Sequence, residues 1–183
     1  SEVDRVLKTV EELIRRVKRI SDRVLTEVKK LVDDVRRVVE KSRRDVEELV
    51  KEVKRSVDER VDSTDAERLR RKLEKLVREV EEVAKRSEDD LERILRRVEE
   101  VIKRSRDNLE KLLRKVEEVS KIKDKEMLER ALKEIKEEVK RNEDDNRRML
   151  REIEELAKRN KEENKRVLDE VRDIVRRLAE EVK

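Results

Sequence analysis

Two stretches of this 183-residue chain, KRNEDDNRR at 140–148 and KRNKEENKR at 158–166, place Asn142, Asn146, Asn160 and Asn164 among positions that are otherwise aliphatic. Ser21, Ser42, Ser87 and Ser105 stand among the aliphatic positions of the preceding segments in the same way. Amides and hydroxyls both donate and accept, so the chemistry open to these eight residues is hydrogen bonding to one another. An unpaired buried amide or hydroxyl costs about 1–3 kcal/mol, which favours partnership over accident.

Other chemistry has little material. The sequence contains no His, Cys, Gly, Pro, Phe, Tyr or Trp. It therefore offers no thiolate, no imidazole base and no soft-metal ligand, and no glycine loop to cradle a phosphate. Carboxylates are abundant but fall outside the apolar phase; Glu138, Asp90 and Asp145 reach only its edge. No catalytic, metal-binding or cofactor-binding residue is expected, and without aromatics a hydrogen-bond network is favoured over a small-ligand cavity. The 55 basic and 51 acidic residues leave a net charge of +4 and interleave along the chain. That is the pattern of a solvated helix surface, whereas nucleic acid calls for a concentrated basic face and, for single strands, aromatic platforms. No membrane span or targeting segment is recognised, and the lack of cysteine leaves the redox compartment open.

The elements that position the polar residues follow from periodicity. In the first segment Val10, Val28 and Val46 mark one position of a repeating unit, as do Ile14, Val32 and Val50, so the unit is 18 residues long. The second segment repeats it over 68–121, and Leu132, Leu150 and Leu168 mark it in the third. Eighteen residues make five turns at 3.6 per turn, which predicts nearly straight helices without a heptad's supercoil. Between segments the apolar phase jumps by roughly 100–160°, so one continuous helix would scatter its stripe. Ser1 with Asp4, Thr64 with Glu67, and Asp124 supply N-terminal caps at the same places. Helices are predicted at about 2–61, 65–121 and 125–182, joined by connections short enough to force antiparallel neighbours. The predicted fold is all-α: an elongated, nearly untwisted, up-down-up three-helix bundle forming a single domain over 1–183.

In such a bundle, residues of helices one and two at one height have numbers summing to about 126, those of helices two and three to about 247. Ser21, Ser105 and Asn142 meet at one height by this rule, and Ser87 and Asn160 at another, with Val39 as the first helix's member and Ser42 and Asn164 just beyond. Asn146 and Asn164 replace Leu128 in the repeat, and Asn142 and Asn160 occupy the phase of Leu178. Asn146 has no clear partner. Two polar layers in an aliphatic core would specify register, because a perfect repeat can otherwise slip by one unit with little loss of burial. Arg43, at the position of Leu7 and Leu25, is read as a snorkelling side chain, and Met127 and Met149 as core gap fillers.

With its near-copies of one unit, its Val/Leu/Ile/Ala/Met core, its alternating Glu/Lys/Arg surface and its matched polar layers, the chain resembles computationally designed parametric helical bundles. The resemblance covers the whole sequence. It departs from the class in its connections, VDSTD and SKIKDK, which use neither Gly nor Pro. The resemblance implies a heat-resistant scaffold or building block without an evolved substrate. Two readings stay open: a monomeric structural scaffold requiring no partner, or a module that pairs with a partner helix or with a second copy of itself. The stripe width, with no second apolar face, favours the monomer.

Overall fold

A computed structural model describes residues 2–182, excepting the side chains of Glu2 and Val3. The chain forms three helices, α1 (Glu2–Arg60), α2 (Ser63–Val119) and α3 (Lys125–Val182), with no strand among the described residues. All three helix pairs are in contact, which makes this an all-α three-helix bundle. Each helix forms because its apolar residues recur at the helical period and share one face; the many Val residues weaken local propensity, so burial supplies the stability.

The buried residues of α1 show the repeat plainly. Val10, Val28 and Val46 are buried at one repeat position, Ile14, Val32 and Val50 at a second, and Val17, Val35 and Val53 at a third. The fourth position holds Ser21, Val39 and Val57. In α2 the corresponding series includes Leu69, Ser87 and Ser105, and in α3 Asn142, Asn160 and Leu178.

The chain packs as two compact units, each with one stretch from every helix: residues 1–30 with 95–155, and 31–94 with 156–183. In the first unit, Val10, Ile14 and Val17 of α1 cluster with Leu109, Leu112 and Val116 of α2 and with Ile135 and Val139 of α3. Lys115–Glu138 and Ser105–Asn142 pair α2 antiparallel with α3 there. In the second unit, Arg36 grips Glu88 with Nε 2.9 Å from both carboxylate oxygens, and Asp58 accepts from Arg70 Nε at 2.7 Å, so α1 and α2 are also antiparallel.

The caps differ in part from expectation. Asp124 caps α3 as predicted: its Oδ1 accepts from Glu126 N at 3.1 Å, and its carbonyl accepts from Leu128 N at 3.0 Å. At α2 the cap is Asp62 and not Thr64. Asp62 Oδ1 accepts from Asp65 N at 3.1 Å, and the Asp62 carbonyl takes the first helical bond, from Ala66 N at 2.8 Å. Both residues suit an N-cap; aspartate is the stronger of the two, and its carboxylate meets the Asp65 amide. The predicted Ser1 cap lies outside the described residues. α2 ends in tighter turns, with Lys121 N on Glu118 O at 3.2 Å and Ile122 N on Val119 O at 2.9 Å. No described residue has a positive φ, which is why both connections manage without glycine.

Met127 and Met149 are corrections. They are 61% and 42% exposed, not core fillers, because they stand roughly 100° and 60° from the middle of α3's buried arc. Leu156 and Ile174 are exposed on the same side of α3. If Asp62 is the working cap, Asp62→Ala should lower unfolding stability by about 1 kcal/mol in denaturant titration, with Thr64→Ala within about 0.5 kcal/mol of the parent.

Candidate functional site

The polar residues on the core faces of α2 and α3 form two hydrogen-bonded clusters, one in each unit. In the second unit Ser87 Oγ donates to Asn160 Oδ1 at 2.8 Å, and Asn160 Nδ2 returns a bond to the Ser87 carbonyl at 3.3 Å. Asn164, one turn on, donates from Nδ2 to the Asn160 carbonyl at 2.7 Å and to Asn160 Oδ1 at 3.0 Å. Asn160 thereby uses both ends of its amide, and it and Ser87 are buried.

The first unit repeats the cluster with different closure. Ser105 Oγ donates to Asn142 Oδ1 at 3.3 Å, while Asn146 Nδ2 donates to Ser105 Oγ at 2.6 Å and to Asn142 Oδ1 at 3.0 Å. Asn146, for which the sequence offered no partner, bridges the other two. The Nδ2 of Asn142 is buried and has no hydrogen-bond partner. Its repeat equivalent, Asn160 Nδ2, found a backbone carbonyl.

Two residues assigned to these layers stay outside them. Ser21 is buried at the expected level, but its Oγ donates to Val17 O at 3.0 Å, inside its own helix. A serine is too short to cross between helix axes 8–10 Å apart unless a longer side chain meets it, and its own i−4 carbonyl is always in reach. The second unit needs no serine at this position, since Val39 fills it. Ser42 is half-buried and makes no side-chain hydrogen bond. Both clusters are thus built by α2 and α3 alone.

Arg43 lies half-buried where the repeat places leucine. Its Nη2 donates to Glu40 Oε1 at 2.5 Å, while its Nε is buried without a partner. The hydrogen bond from Arg43, aided by Arg44, holds the Glu40 carboxyl below the usual carboxylate range despite some desolvation, and the same bond raises the Arg43 guanidinium. Arg36 is raised in turn by its hydrogen bond with Glu88. The Arg36–Glu88 pair joins α1 to α2, and the Arg43–Glu40 pair lies within α1. No cluster of three potential metal ligands occurs among the described residues, and no helix of the described chain is long and apolar enough to cross a membrane.

Asn108 is the residue that sequence reasoning passed over. It is exposed on α2 beside the first cluster, in a groove of about 520 Å³ between α2 and α3 that also reaches Asn142, Asn146 and Met149. Its signal was visible in the repeat, where Asp90 holds the equivalent place.

Two outcomes follow from this geometry. Ser21→Val should leave stability unchanged or raise it, whereas Ser87→Val should cost about 1 kcal/mol by removing one of the two donors to the buried Asn160 Oδ1, the other coming from Asn164; parallel denaturant titrations compare them. Arg43→Leu should stabilise the chain by about 1 kcal/mol near neutral pH, because it removes a buried unpaired Nε and restores the repeat. The same change should raise the Glu40 titration measured by NMR. A carboxyl held low in the folded state contributes stability above its unfolded pKa that is lost as pH falls through its folded pKa, so that acid-side loss should diminish in the variant. No protein-family model, curated protein or solved structure matches this chain.

Proposed function

We propose that this chain is a designed structural scaffold, a three-helix building block without a substrate, whose amide clusters fix the register of α2 against α3. One observation carries the reading: Ser87, Asn160 and Asn164 are the 18-residue repeat equivalents of Ser105, Asn142 and Asn146, and both sets bond across α2 and α3 inside an aliphatic core. A slip of α3 by one repeat against α2 would keep aliphatic faces matched over the roughly two-thirds of each helix that still overlapped. Slipped one way, α3 would set Asn160 opposite Leu69, leaving a buried amide without its serine at about 1–3 kcal/mol; slipped the other way, it would carry Asn142 past the end of α2 at Val119. The clusters therefore convert a shallow preference among registers into a single choice, as a buried asparagine does in coiled coils.

The near-identity of the repeats, the narrow choice of core residues and the interleaved surface charges support an origin in design. With 58% charged residues, most outward, the surface suits a soluble monomer. Light scattering should give a mass near 22.2 kDa, and twice that value would overturn the monomer. For the register role, the four asparagines are replaced together by leucine. The variant should keep its helical circular dichroism yet show more than one set of amide resonances in ¹H–¹⁵N spectra. A single set with the parent's interhelical contacts would refute the role.

A further inference from the structure

Charges that interleave along the sequence separate by angle once the helices form. We propose that the two edges facing each other across α2 and α3 in the first unit act as a charged clasp, which draws α3 to one particular edge of α2. The clasp goes beyond the scaffold reading and rests on it only for the register role of the amides. At about 100° per residue, one edge of α2 in this unit carries Arg97, Arg104, Asn108, Lys111 and Lys115 within an arc of roughly 60°, four cations and no acid. The edge of α3 that borders the same groove carries Glu134, Glu138, Asp145 and Glu152 within roughly 40°, four acids and no cation. The opposite edge of α2, where Arg106 pairs with Asp22 of α1, carries Glu99, Glu110 and Glu117 instead. The two edges of α2 thus differ in sign, and only one of them suits the acids of α3.

The charges match in height as well as in sign. Arg97 with Glu152, Arg104 with Asp145, Lys111 with Glu138 and Lys115 with Glu134 each stand within roughly 3 Å of level, by the relation that places Ser105 beside Asn142. Lys115 closes one contact, its Nζ lying 3.6 Å from Glu138 Oε2. Arg97, Arg104 and Lys111 are exposed and make no ion pair among the described residues, so the edges act mainly through their summed field. Such attraction is small for each exposed pair, larger for several together and reduced by salt. A slip by one repeat leaves the signs matched, with Arg97 meeting Glu134 one way and Lys115 meeting Glu152 the other. The clasp is therefore blind to register, and that choice falls to the amides.

The test follows thermal unfolding of the full chain and three variants by circular dichroism, in enough urea to bring the parent's midpoint to about 60 °C. Reversing the edge of α2 with Arg97→Glu, Arg104→Glu, Lys111→Glu and Lys115→Glu should lower the midpoint by about 5 °C or more in 10 mM NaCl. Adding Glu134→Lys, Glu138→Lys, Asp145→Lys and Glu152→Lys should return it to within about 2 °C of the parent. A control with the same change in net charge, Arg78→Glu, Arg96→Glu, Lys103→Glu and Arg114→Glu on the outward face of α2, should lose less than half as much. In 0.5 M NaCl the loss in the first variant should shrink by at least half. A double reversal that recovers nothing, an equal loss in the control, or a loss indifferent to salt would overturn the clasp. So would a second set of amide resonances in the first variant, since edges blind to register cannot create one; the register role itself is judged separately, by the four-asparagine variant.

Discussion

An aliphatic side chain buried on α1 meets nearly the same surroundings eighteen residues later, because eighteen residues return a straight helix to its starting angle after five turns. Val10, Val28 and Val46 are each 1% exposed, and burial of this kind does not by itself distinguish one repeat from the next. Aliphatic contact is short-ranged and undirected. Groups that are costly when mispaired do distinguish one pairing from another, and on the core faces of α2 and α3 these are the hydroxyls of Ser87 and Ser105 and the amides they meet.

Much of this is legible in the sequence. The period of the stripe gave the helices, its phase jumps gave the breaks, and simple height matching put Ser87 with Asn160 and Ser105 with Asn142. What escaped was decided at shorter range than periodicity reaches. The choice of Asp62 over Thr64 turned on one side-chain bond, from Asp65 N to Asp62 Oδ1, which periodicity does not register. Ser21 had the right height and burial but lacked the reach to leave its own helix. Asn146 found its partners because a side chain one turn along can bend back to Asn142, a geometry that matching by height alone does not consider. The two methionines were misplaced by treating every apolar residue as core, when their angle on α3 already set them off the buried arc.

The two clusters also show how a repeat can carry difference. Their residue types are the same, yet one amide nitrogen is satisfied and the other is not. The neighbouring change from Asp90 to Asn108 removes an acid beside the unsatisfied one. Identical units give the bundle its uniform packing, and departures from identity are where individual character resides. Arg43 is a third departure, at a leucine position, with a guanidinium that meets Glu40 by one nitrogen and leaves another buried and alone.

The connections at 61–62 and 120–124 keep every described residue in the ordinary right-handed or extended backbone regions. No position in them is reserved for glycine by steric necessity. Aside from Asp62 and Asp124, whose carboxylates hold the first turns of α2 and α3, these segments are open ground for diversification: a combinatorial library of recognition loops placed there would meet few backbone vetoes, and would leave both amide clusters untouched.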